Sequence, residues 1–267
     1  MEKEEQIRKV NFYNSKNQKL VGILYENKTD EIVIICHGFG GNKNRNFIHI
    51  LDDYLSKNGF SILIFDFTGN GESEGEFSEG NYTQEIDDLG KAIDFVKKLG
   101  YGKISLIGHS MGGAVSILRT SKDSRINHIV SIASPGDSSR FREKYINTYE
   151  KRKQLNKKGY IILKKNNKKL TKEFLEDVEK YDVINSVKKI KIPFLIMHGD
   201  KDETVPIQTA KRLYGNANEP KYLEIINDAD HCIGYKGVDY NPKEIIKETK
   251  EYKQLKQKIL EFLKTKW

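Results

Sequence analysis

Apolar residues fall in short runs separated by polar stretches, and the runs change period along the chain. Ile7–Tyr13 and Leu20–Tyr25 alternate apolar and polar positions on either side of the polar stretch NSKNQ, which predicts an antiparallel hairpin. Ile32–Cys36 is a continuous apolar run ending at His37-Gly38 and predicts a buried strand. Phe47, Ile50, Leu51, Tyr54 and Leu55 then recur at spacings of three and four, predicting a helix that stops at Gly59. Ser61–Phe67 predicts a second buried strand. Thr83 is placed to cap the next helix, in which Ile86, Leu89, Ile93, Val96 and Leu99 share a face and Gly100 closes the end. Ile104–Ile107, Ile126–Ala133, Pro193–Met197 and Tyr222–Ile226 predict four more strands. Ala114–Leu118, Ala210–Tyr214 and Pro242–Leu263 predict helices between and after them.

Strands alternating with helices imply an α/β fold, with a mostly parallel central sheet and helices on both faces. The 267 residues suffice for one large domain of this kind. One segment breaks the rhythm. Residues 136–187 separate two strands and contain the strand-like YIIL, the turn-like KKNNKK and the helical LTKEFLEDVEKY. The expected organisation is a core made of 1–135 and 188–267, with 136–187 as a lid or cap inserted over the site.

Charge sharpens this division. The chain has 46 Lys and Arg against 38 Asp and Glu, a formal charge of +8, and residues 136–187 alone carry 14 against 8. A basic face of this kind suits an anionic membrane surface, nucleic acid or an acidic substrate. No nucleic-acid motif accompanies it, so a solvated lysine-rich face is the expectation. The opening MEKEEQIRKV has no apolar stretch behind it, and the longest apolar runs, such as IVIIC, are far too short to cross a bilayer. A cytoplasmic or already processed chain is expected. The two cysteines, Cys36 and Cys232, form neither a disulfide framework nor a metal spacing and are expected as small buried thiols. No two histidines share helical i, i+4 spacing with a carboxylate, so neither metal nor cofactor is expected.

The candidate chemistry begins at LIGHSMGGA. Gly108-His109-Ser110-Met111-Gly112 fits G-x-S-x-G, with a predicted strand before it and a helix after it. Such a turn holds the serine in a strained conformation at the top of the sheet. Side chains at Gly108 and Gly112 would collide with the crossing strand and helix. A serine hydroxyl needs a base, and the base an orienting carboxylate, arriving in the order Ser, acid, His at the ends of later strands. HGDKDETVP supplies Asp200 and Asp202 after the fifth strand, and NDADHC supplies His231 after the sixth. His37 and His109 lie inside turn motifs and are expected to hold their loops by hydrogen bonds. The backbone N–H of Met111, at the helix start, and that of Phe39, in the His37-Gly38-Phe39-Gly40-Gly41 loop, are the expected oxyanion donors.

HGFGG, DFTGNGESEG, GHSMGG, HGDKDETVP and DADHC together resemble the α/β-hydrolase superfamily in its order and spacing. Within it the chain is similar to small serine esterases, the cinnamoyl or feruloyl esterases and monoacylglycerol lipases. Asn70 stands where such esterases often carry histidine, and 136–187 does not match the feruloyl esterase insertion. The resemblance implies Ser110 as nucleophile, His231 as general base and Asp202 as orienting acid, with Asp200 a turn residue. It implies a carboxylesterase that cleaves short- to medium-chain acyl or aromatic esters through an acyl-enzyme, with a small-molecule ester as partner. The alternatives are a monoacylglycerol lipase or lysophospholipase, a thioesterase or a peptidase on the same three residues, and a non-catalytic receptor on the same fold. Phe141, Tyr145, Tyr149, Tyr160, Phe174 and Tyr181 of the insertion are expected to pack it onto the body rather than line an acyl pocket.

Overall fold

The structure is a computed structural model and describes residues 6–137, 139–163, 167–235 and 247–267. Its centre is an eight-stranded sheet in the order β1 (Gln6–Tyr13), β2 (Lys19–Glu26), β4 (Ser61–Phe65), β3 (Glu31–Cys36), β5 (Lys103–His109), β6 (Ile126–Ile132), β9 (Phe194–Gly199), β10 (Lys221–Ile226). The β1–β2 hairpin is antiparallel and joins β4 antiparallel, whereas every pairing from β4 to β10 is parallel.

Because strand side chains alternate, each parallel strand feeds two cores. Ile32, Ile34, Leu106 and Ile129 pack on one face with α2 (Tyr82–Lys98) and α3 (Met111–Thr120). Val33, Ile35, Ile107 and Val130 pack on the other face with α1 (Asn46–Lys57) and α9 (Lys250–Lys264). Apolar residues on both faces explain why these strands read as continuous runs and not as alternation.

Residues 137–187 run between β6 and β9. They form α4 (Ser139–Tyr145), α5 (Tyr149–Lys158), the hairpin β7 (Tyr160–Leu163) and β8 (Lys168–Thr171), α6 (Lys172–Val178) and the single turn α7 (Val183–Val187). Helix α8 (Ile207–Asn216) then precedes β10.

Three expectations change. Helix α2 is capped by Asn81, whose side chain accepts from Gln84 N–H at 3.0 Å, and not by Thr83. Thr83 instead faces the inserted segment, its N–H donating to Asp177 at 3.0 Å and its hydroxyl meeting Tyr181 at 2.7 Å. The closing helix begins at Lys250 behind a Thr249 cap, and the part expected over 242–246 lies outside the described residues. The helix read across LTKEFLEDVEKY gives its first residues to β8, because Leu170 pairs with Ile161 across the hairpin. Among the described residues no helix is long and apolar enough to cross a membrane.

Candidate active site

The end of β5 delivers Ser110 in a left-handed conformation, φ 54° and ψ −122°, which L side chains rarely adopt. The turn is held by the Ser110 N–H, which donates to Ile132 O at 2.8 Å, and by Gly113 N–H, which donates back to Ser110 O at 3.0 Å. Its glycines are required by contact. A Cβ at Gly108 would lie 2.6 Å from Gly113 Cα, and one at Gly112 would strike the carbonyls of Cys36 and His37.

The loop after β3 closes on this turn. Gly38 lies so near that a Cβ there would sit 3.0 Å from Ser110 Cβ. Residues 38–41 form a β-turn in which Gly41 N–H donates to Gly38 O at 2.9 Å, Gly40 takes φ 64° and Phe39 occupies the outer corner. His37 secures its base. The buried ring accepts from Phe67 N–H at Nε2, 3.1 Å, and donates from Nδ1 to Gly38 O at 2.9 Å. Burial holds its pKa below that of free histidine, which keeps this neutral tautomer.

Lys43 follows the same loop. It is buried between Asp66 and Glu72, each 2.6 Å from its ammonium. This pair ties the loop after β3 to the DFTGNGESEG loop after β4, a link that a sequence pattern does not display.

From the far side come the acid and the histidine. Asp202 follows β9, and its Oδ1 accepts the N–H groups of Thr204 and Val205 at 2.8 Å each. Its Oδ2 accepts His231 Nδ1–H at 2.7 Å, with His198 Nε2 3.3 Å away. Burial would raise this carboxyl, but hydrogen bonds from His198, His231 and the Val205 N–H outweigh it and hold the group below the usual carboxylate range. With Nδ1–H given to Asp202, His231 presents Nε2 as an acceptor 3.0 Å from Ser110 Oγ.

His109 supports the same residue from below, its Nε2–H donating to the His231 carbonyl at 2.8 Å. Burial and the neighbouring His231 lower its pKa to about 3, so it stays neutral. Asp200 is exposed, and its N–H caps the end of β10 at Ile226 O. The structure thus brings Ser110, Asp202 and His231 together, and the loops bearing Phe39 and Met111 flank Ser110. His198 is the residue that sequence reasoning missed. Its only signal was its place four residues before Asp202.

A cleft of about 1200 Å³ opens above Ser110. Phe39, Met111, Val205 and His231 line it from the core, and Phe141, Tyr145 and Ile161 from the inserted segment. Of the six aromatics singled out there, Phe141 and Tyr145 thus reach the cleft. Phe174 packs behind them, Tyr181 sits edge-on to Tyr82, Tyr160 lies under the Lys169 ammonium and Tyr149 is exposed. Cys36 is buried as expected, its thiol pushed up to about 12 by burial, but Cys232 is half-buried and lines the cleft. Among the described residues no three His, Cys, Asp or Glu side chains gather as metal ligands.

This geometry has wide company. Residues 31–157 match the family model described as alpha/beta hydrolase fold, and residues 140–235 match the one described as serine aminopeptidase, S33. The chain has the α/β-hydrolase fold. Solved structures share this architecture. Est1E from Butyrivibrio proteoclasticus, solved with ferulic acid bound, superposes with a TM-score of 0.79 at 22% identity, covering 95% of this chain and 97% of that one. The Pyrococcus furiosus esterase Pf2001 gives 0.72 at 23% identity, covering 97% and 91%. Among curated sequences, the uncharacterized protein YfhR of Salmonella typhimurium is 28% identical over 77% of this chain, and the chain spans 65% of YfhR's length.

Proposed function

We propose that the protein is a serine hydrolase that cleaves carboxylic esters of short to medium acyl or aromatic acids. The observation that carries this reading is the unbroken pair of hydrogen bonds from Ser110 Oγ to His231 and from His231 to the buried Asp202. His231 Nε2 takes the proton as Ser110 Oγ attacks the acyl carbon, and Asp202 stabilises the resulting imidazolium. The tetrahedral oxyanion is received by the N–H groups of Phe39 and Met111, each worth about 3 kcal/mol in such sites. The alcohol departs with the proton from His231. Water, activated by the same ring, then adds to the acyl-enzyme and releases the acid. Est1E, with its bound ferulic acid, supports a carboxylic acid as the product held in such a cleft. The segment 136–187 serves as the lid, since its α4 and β7 form one wall.

The match of 140–235 to the serine aminopeptidase model favours a second reading, amide hydrolysis by the same residues. A panel of p-nitrophenyl esters beside amino-acid p-nitroanilides separates the two, and a fluorophosphonate probe reports Ser110 directly. We expect ester turnover, labelling of Ser110 and a loss of at least about 10³-fold in Ser110→Ala. Turnover that survives Ser110→Ala overturns the mechanism. A folded chain that neither labels nor turns over is a ligand receptor on this fold.

A further inference from the structure

The β-turn 38–41 is fixed at its base by hydrogen bonds, but its outer corner carries Phe39, whose ring is held by packing alone. Four aromatic rings surround it. Phe77, from the loop after β4, lies at 5.2 Å between centroids, Phe174 of α6 at 5.3 Å, Phe141 of α4 at 5.4 Å and Tyr145 of α4 at 5.7 Å. Three of the four belong to the inserted segment. That segment is itself braced: Phe141 packs edge-on against Phe174, and Asp177 of α6 binds Thr83 at the start of α2. A chain of contacts therefore runs from the core helix α2 through α6 and α4 to the ring of Phe39.

We propose that Phe174 and Phe141 are positioning residues for the reaction, acting through the Phe39 ring to aim the Phe39 N–H at the oxyanion. This rests on the serine hydrolase reading and deepens it, because the insertion then sets the rate of the chemical step as well as admitting substrate. Gly41 N–H and His37 Nδ1 hold Gly38 O and so anchor one end of the planar Gly38–Phe39 peptide, and the Cα of Phe39, placed by its packed ring, sets the other end. A donor is effective only when it is aimed at the place where charge develops, so a small rotation there weakens transition-state binding while ground-state binding survives. Phe174 suits a test best. It is buried and does not line the cleft, so it cannot act by touching substrate.

The experiment compares wild type with Phe174→Leu and Phe39→Leu on p-nitrophenyl acetate, whose acyl group is too small to need the insertion as a pocket. We expect kcat to fall about 5- to 50-fold, short of the 10²–10³ for outright loss of a donor, with KM changed less than about twofold. The second-order rate of fluorophosphonate labelling at Ser110 should fall in parallel, because that attack also builds negative charge on oxygen. Phe39→Tyr, which keeps the ring, should restore the rate. Ile259→Ala in α9 provides a control of reduced stability remote from the cleft, with kcat per folded molecule retained.

If Phe174→Leu folds and keeps its labelling rate and kcat, or changes only KM in step with acyl length, the proposal is overturned and the insertion is a pocket wall. If Phe174→Leu does not fold, the milder Phe174→Met, at the same buried position outside the cleft, carries the same test. A wild-type chain that resists labelling defeats the serine hydrolase reading itself, which is a different outcome from a labelled wild type with an unaffected variant.

Discussion

The loops at the strand ends and the segment 136–187 face each other across one cleft but are built differently. Around Ser110 each candidate site residue follows a parallel strand, and the loops are held by hydrogen bonds with Ile132, Phe67, Val205 and His109. In the insertion the elements are short. Helix α5 buries only Leu155 and relies on a Thr148 cap at one end and Gly159, at φ 76°, at the other. The segment joins the core through α6 and α7, whose Phe174, Leu175, Val178, Val183 and Val187 are buried in the main cluster, and through Asp177 and Tyr181 on Thr83. The contrast implies firmly held strand-end loops beneath a wall whose outer helix, α5, has lower local stability.

The largest test of that contrast is steric. Gly112→Ala places a methyl against the Cys36 and His37 carbonyls, where neither the end of β3 nor α3 can yield, and should cost about 3 kcal/mol or abolish folding. Gly159→Ala in the insertion has open space and should cost only about 1 kcal/mol for its positive φ. Urea unfolding of both variants reads the difference, and equal losses would erase the distinction between the regions.

A second test uses acid. The pKa of half-buried His109 is lowered to about 3 in the folded chain by desolvation and the neighbouring His231, against about 6.5 unfolded. Its contribution to stability is therefore complete above pH 6.5 and is lost as pH falls toward 3, by about 2 kcal/mol at pH 5. None of the six histidines lies in 136–187, so the loss belongs to the core. His109→Gln should flatten the slope of unfolding free energy between pH 7 and 5, and an unchanged slope would remove His109 from this role.

The smallest expected effect is Thr83→Val, which deletes the hydroxyl that meets Asp177 and Tyr181 but keeps the Thr83 N–H bond. It should cost about 1 kcal/mol, expressed as faster hydrogen exchange in α6 with the sheet unaffected. Global loss of protection would mean that the two regions unfold as one unit.

The same division governs what the sequence reveals. Strands such as Ile32–Cys36 and the turn around Ser110 are legible because local patterns and glycine clearance encode them directly. Asp202 and His231 are found because their loops follow strands in a fixed order. Helices α4 and α5 are not legible, since a helix with one buried leucine leaves almost no periodic signal. Thr83 misleads for a related reason. It has the chemistry of a helix cap, but its partner Asp177 lies 94 positions away. The sheet order, the Lys43–Asp66 pair and the support of Asp202 by His198 are likewise matters of distant contact.

The backbone at Ser110 has a consequence for the economy of the whole fold. A non-glycine residue at φ 54° and ψ −122° holds about 1–3 kcal/mol of strain, in a class of molecules whose total margin is about 5–15 kcal/mol. Anything from about a fifteenth to more than half of that margin is thus committed at one residue. The depth at which β5 and α3 are buried, with Leu106, Ile107, Ala114, Val115 and Ile117 fully enclosed, is the counterweight. Side chains far from the cleft are in this sense part of what holds Ser110 in its strained position.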